Sequence, residues 1–151
     1  MSKPVALISG GVSGIGLALT RHLLAKGFCV VMIDINTKLG EKVQKDLGPD
    51  TLFHPADVSI YHQQAVAFKK AFDWHKRLDF FAANAGIADT QNMYDANEEE
   101  DENGLVKPLE VKTMQVDLDS VLQGIWIFKH YARKNPVRGG KIVITSSMAG
   151  L

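Results

Sequence analysis

Apolar positions along the chain follow two rhythms, and the rhythms alternate. Val5 to Ile8 is a short unbroken apolar run, the pattern of a parallel strand buried on both faces. From Ile15 the apolar residues recur at 15, 18, 19 and 23, which is helical spacing, and Gly27 is placed to end that helix. Phe28 to Ile33 predicts a second buried strand, with Cys29 inside it as a small core residue. Leu39, Val43 and Leu47 mark a short helix ended by Gly48-Pro49, and Thr51 to His54 a third strand. Tyr61, Ala65, Phe68 and Phe72 predict a further helix, and Leu78 to Ala83 a fourth strand.

The rhythm then breaks. Residues 89–107 are polar and acidic, with Glu98-Glu99-Glu100-Asp101-Glu102 at their centre. Like charges in a run repel and stay solvated, so this reads as an inserted, mobile surface loop. Leu109 to Lys134 predicts the longest helix. Val111, Met114, Leu118, Val121, Leu122, Ile125, Phe128 and Ala132 form its main stripe, and Val116, Trp126, Ile127 and Tyr131 widen it. A helix apolar on two sides needs cover on two sides, from a missing piece of this chain or from another subunit, and a homo-oligomer through the 109–134 helix is expected. Asn135 to Gly140 is a turn and Lys141 to Thr145 a fifth strand.

Strands alternating with helices predict an α/β fold, a doubly wound parallel sheet of five strands in one domain over 1–151. Ligands of such sheets bind beyond the carboxyl ends of the strands. Composition narrows the function classes. Seventeen basic residues balance 17 acidic ones, for a net charge of +0, which argues against a nucleic-acid partner or an anionic membrane surface. No apolar run approaches the roughly 18 residues of a membrane span, and no secretory leader is legible at Met1. One cysteine allows no intrachain disulfide, and the five histidines show no metal-ligand spacing, so no metal site is expected. A reducing, cytoplasmic setting follows from these features.

Candidate chemistry sits at the strand ends. Gly10-Gly11-Val12-Ser13-Gly14-Ile15-Gly16 lies between a predicted strand and a predicted helix. Glycines there permit a tight turn and let a pyrophosphate approach the backbone and the helix N-terminus. Asp34 follows Gly16 by 18 residues, at the end of the second strand. A carboxylate there accepts both hydroxyls of an adenosine ribose and repels a 2′-phosphate. Ser13 and Ile35 supply no cation to receive that phosphate, so the pattern favours NAD over NADP. Asp57-Val58 follows the third strand, Asn84-Ala85-Gly86 the fourth, and Thr145-Ser146-Ser147 the fifth. A serine-hydrolase reading lacks the Gly-x-Ser-x-Gly elbow.

Taken together, Ser9-Gly10-x-x-x-Gly14-Ile15-Gly16, Asp34, Asp57-Val58, Asn84-Ala85-Gly86 and Ser146-Ser147-x-Ala149-Gly150 resemble the short-chain dehydrogenase/reductase family across essentially the whole chain. Within that family the chain resembles most the NAD-dependent prostaglandin-dehydrogenase and insect-type alcohol-dehydrogenase branch. The resemblance implies cofactor contacts at Ser13, Ile15, Asp34, Asp57, Val58, Asn84 and Gly86. It implies a hydrogen bond from Ser147 to the substrate oxygen. It also places Asp117 where the family carries an Asn that holds a proton-relay water; an ionised carboxylate accepts hydrogen bonds but donates none. The family's Tyr-x-x-x-Lys pair, expected beyond the serine, has no counterpart before Leu151. The expectation is therefore the cofactor-binding part of a longer NAD-linked oxidoreductase that interconverts a secondary alcohol and a ketone, truncated before the family's last strands and inactive by itself. The alternative is a non-catalytic NAD-binding sensor, a pseudoenzyme or a heteromer subunit.

Overall fold

The computed structural model describes residues 3–88 and 99–147. In chain order the elements are β1 (Val5–Ser9), α1 (Gly14–Ala25), β2 (Cys29–Asp34), α2 (Thr37–Leu47), β3 (Thr51–Pro55), α3 (Tyr61–His75) and β4 (Phe80–Ala83). They continue as α4 (Lys112–Met114), a π-helical turn (Gln115–Asp119), α5 (Ser120–Ala132) and β5 (Lys141–Ile144). The five strands form one parallel sheet in the order β3-β2-β1-β4-β5. The order reverses between β1 and β4, which opens a crevice beyond the carboxyl ends of those strands.

Apolar runs form β1, β2 and β4 because both faces of the sheet are covered there. Val5, Leu7, Val31, Ile33 and Phe81 face one core with α3 and α5, where Ala67, Phe68, Ile127 and Phe128 are buried. Ala6, Ile8, Val30, Met32 and Ala82 face the other, with Leu23 of α1 and Val43 of α2. Neighbouring residues thus point into different cores, and no polar alternation remains. Cys29 opens β2, fully buried as expected of a core residue; burial, with Asp50 beside it, pushes its thiol pKa up and away from reactivity.

Two expectations shift. β4 begins at Phe80 rather than Leu78 because the Leu78 N–H and carbonyl are both taken by the buried Asn135 side chain, at 2.8 Å each. The acidic insertion, where described, is an exposed loop held by its own hydrogen bonds. Residues 99–107 turn back on themselves through an antiparallel bridge between Glu100 and Val106. Asp101 accepts the backbone N–H groups of Asn103 and Leu105, and Lys107 pairs with Glu99 at 2.7 Å. Residues 89–98 of that insertion, Glu98 included, lie outside the described residues.

The long helix carries the second shift. It starts at Lys112, not Leu109, and ends at Ala132 rather than Lys134. Its inward face takes Phe128 and Ala132 from the main stripe and joins them to Val116, Ser120, Gly124 and Ile127. Met114, Leu118, Leu122 and Trp126, at 59%, 52%, 57% and 63% exposure, face outward. Two causes act together. The π turn adds a residue to one turn and rotates the face that follows it. Small residues also admit the sheet: a Cβ on Gly124 would stand 2.7 Å from the Phe81 ring. Among the described residues β5 pairs only with β4, and all four of its residues are exposed.

Candidate active site

A cleft of about 680 Å³ lies at the carboxyl ends of the strands, across the point where strand order reverses. Its floor is the turn between β1 and α1. Gly10 sits at φ 65°, a left-handed conformation that glycine adopts without penalty. Gly16 does not line the cleft; it lets the turn close, since a Cβ there would stand 2.0 Å from the Gly10 carbonyl oxygen. Ser13 is the N-cap of α1, and its side chain caps nothing. The first-turn N–H groups of α1 are therefore left for a ligand, at the positive end of a helix dipole. Ser13, Gly14 and Ile15 line the cleft beside them.

Asp34 ends β2 and enters the cleft with Ile35. Its Oδ1 accepts the Asn36 N–H at 3.0 Å, which fixes the carboxylate while lone pairs remain open. Ile15 and Ile35 are 70% and 72% exposed, apolar surface that a flat organic ligand would cover.

Asp57 and Val58 follow β3 and line the same cleft. Asp57 Oδ1 accepts the Ser59 N–H at 2.9 Å and its hydroxyl at 2.6 Å. Asp57 Oδ2 accepts from Lys112 Nζ at 3.1 Å. Burial pushes the Asp57 pKa upward, but the hydrogen bonds from Ser59 and Lys112 outweigh it and hold the carboxyl below its ordinary value.

At the other end, Asn84 joins three strands. Its Nδ2 donates to the carbonyls of Ser9 and Gly10 at 3.2 and 3.3 Å, and its Oδ1 accepts from the Thr145 hydroxyl at 3.0 Å. Ser9 Oγ accepts the N–H groups of Asn84 and Ala85 at 3.0 and 3.1 Å. These bonds set the course of Ala85, Gly86 and Ile87 along the cleft wall.

Of the expected site residues, Gly10, Ser13, Gly14, Ile15, Asp34, Ile35, Asp57, Val58, Asn84, Ala85 and Gly86 meet around this one cleft. Asp117 stands behind its wall, in the π turn, and its Oδ1 accepts the Ile87 N–H at 3.0 Å. Ser147 is exposed, two residues past Thr145, and is not among the lining residues. Ala149 and Gly150 lie outside the described residues. Lys112, Val116 and Ile87 line the cleft without having been expected there from the sequence. Nothing in the sequence marks Lys112, because its partner Asp57 is 55 residues away. Among the described residues, no three His, Cys, Asp or Glu side chains gather as they would around a metal ion, and no helix is long and apolar enough to cross a membrane.

The family model for short chain dehydrogenases matches residues 4–151. A short-chain dehydrogenase/reductase, prx7, of Penicillium rubens is 36% identical over 90% of this chain and 50% of its own length. Human 15-hydroxyprostaglandin dehydrogenase [NAD(+)] is 33% identical over 97% of this chain and 51% of its own. Among solved structures, a 3-ketoacyl-(acyl-carrier-protein) reductase from Brucella melitensis, complexed with NADH, superposes with a TM-score of 0.72. It is 26% identical, over 87% of this chain and 51% of that one. The chain spans about half the length of the curated relatives it matches. With the matched residues, the strand order 3-2-1-4-5 and the glycine turn in agreement, the chain belongs to the short-chain dehydrogenase/reductase family.

Proposed function

We propose that this chain forms the NAD-binding part of an oxidoreductase that interconverts a secondary alcohol and a ketone. The observation that carries the reading is Asp34, a fixed carboxylate at the end of β2 in the same cleft as the uncapped α1 N-terminus. A dinucleotide laid across the cleft rests its pyrophosphate on the Gly10–Gly16 turn and its adenosine ribose against Asp34. The adenine then continues toward the end of β3, to Asp57 and Val58, beside Ile35. The nicotinamide half runs the other way, past Asn84 and Gly86 toward the end of β5.

A bound nicotinamide supplies the hydride acceptor or donor. This chain's own residues bind and orient it. The Ser147 hydroxyl would hydrogen-bond the substrate oxygen, and Asp117 would hold the wall at Ile87 while its carboxylate accepts a hydrogen bond from water. The human relative that names NAD(+) and the bacterial structure complexed with NADH support a nicotinamide cofactor. Asp34 favours NAD over NADP because its charge would meet the 2′-phosphate directly.

The outward face of the long helix, centred on Leu118, Leu122 and Trp126, fits a homo-oligomer contact in the same reading. Calorimetry on the full-length protein tests the cofactor assignment. NADH should bind more tightly than NADPH, and Asp34→Ala should weaken NADH more than NADPH. Equal losses for the two would remove Asp34 from ribose recognition.

A further inference from the structure

Asp57 and Lys112 meet across the adenine end of the cleft from segments 55 residues apart. Each carboxylate oxygen carries two lone pairs, so the acceptor sites of Asp57 can be counted. Both sites of Oδ1 are occupied by Ser59, through its N–H at 2.9 Å and its hydroxyl at 2.6 Å. Lys112 Nζ takes one site of Oδ2 at 3.1 Å and also donates to the Ser59 hydroxyl oxygen at 2.5 Å. The Asp57 backbone is held as well, its N–H donating to Gln63 Oε1 at 2.8 Å. One acceptor site of the carboxylate therefore remains, on Oδ2, and Lys112 lines the cleft next to it.

The pair is partly exposed, at 38% for the Lys112 side chain and 29% for Asp57. As a stability device alone, an ion pair this wet contributes little. Its geometry has a clearer use. A carboxylate tied at three of four acceptor sites cannot rotate, and its last lone pair has a set direction.

We propose that Lys112 is a positioning residue for the base: it aims the remaining Asp57 lone pair at the exocyclic amine of a bound adenine, so that the cleft selects 6-amino over 6-oxo purine dinucleotides. This rests on the dinucleotide reading above. A 6-oxo purine presents a carbonyl to that lone pair, which is acceptor against acceptor and costs affinity. Without Lys112 the carboxylate is free to turn, and the discrimination falls.

The test uses the full-length protein and two ligands, NADH and its deamino analogue, in which hypoxanthine replaces adenine. The parent protein should bind NADH more tightly. Lys112→Met should weaken NADH roughly three- to fivefold and the deamino analogue less, so the preference narrows. Lys112→Arg should restore it, because a guanidinium can still donate to Oδ2. In an Asp57→Asn background, Lys112→Met should cost nothing more. An unchanged or widened preference in Lys112→Met overturns the proposal, and so do equal losses for both ligands or additive losses in the double variant. A parent protein that binds neither dinucleotide overturns the cofactor reading itself, and this inference with it.

Discussion

Asn84 Oδ1 accepts a hydrogen bond from the Thr145 hydroxyl at 3.0 Å, joining the ends of β4 and β5. The same amide holds the β1 end through the carbonyls of Ser9 and Gly10. One side chain therefore braces the crevice on both sides of the strand-order reversal. Asn84→Asp replaces the donating nitrogen by an oxygen that faces two carbonyls. The expected cost is about 1–3 kcal/mol of stability, together with weaker NADH binding. Denaturant midpoints and calorimetry on the full-length protein check both; unchanged values would mean the three strand ends are held elsewhere.

Gly16→Ala should be more damaging than its size suggests. The added Cβ would lie 2.0 Å from the Gly10 carbonyl oxygen, a backbone atom with little room to move. The turn must open or α1 must shift, at about 1–3 kcal/mol. NADH affinity should fall along with the thermal midpoint. A variant that keeps both would show that the turn tolerates a different path.

Asp117→Asn should keep the wall intact, because its amide oxygen can still accept the Ile87 N–H, at 3.0 Å in the parent protein. Turnover in the full-length protein should be preserved or rise if a water relay runs through this position. Asp117→Ala removes the acceptor and should lower turnover with a smaller change in NADH affinity. Steady-state kinetics with calorimetry separates the two. A collapse of turnover in Asp117→Asn would mean that the carboxylate charge itself is needed.

The Asp57–Lys112 pair predicts a pH effect with a definite sign. The Asp57 pKa lies below its ordinary value of 3.8, because the bonds from Ser59 and Lys112 outweigh burial. The folded protein therefore releases this proton more readily than the unfolded chain. The stabilisation is complete above the unfolded value and is lost as pH falls through the lower, folded value. Carboxyl NMR titration of Asp57 should give a midpoint below 3.8 in the parent and a higher one in Lys112→Met. No difference between the two would show that Lys112 does not hold the carboxylate.

The pattern of residues alone determined the five strands, the helices between them and the positions of most cleft residues. The reason is local. A buried parallel strand must be continuously apolar, as in Val5 to Ile8, and the turn beyond it must be glycine-rich if the backbone is to meet a phosphate. Asp34 was legible because it sits at the end of its own strand.

What only the tertiary structure decided depends on contacts between distant residues. The long helix carries apolar residues on two sides, so its periodicity could not say which side meets the sheet. The π turn at Gln115–Asp119 and the approach of Gly124 to Phe81 settled it. Leu78 was taken out of its strand by Asn135, 57 residues away. Lys112 lay beyond reach for the same reason. A lysine at the start of a helix is ordinary in one dimension, and it acquires a role only when folding brings it to Asp57.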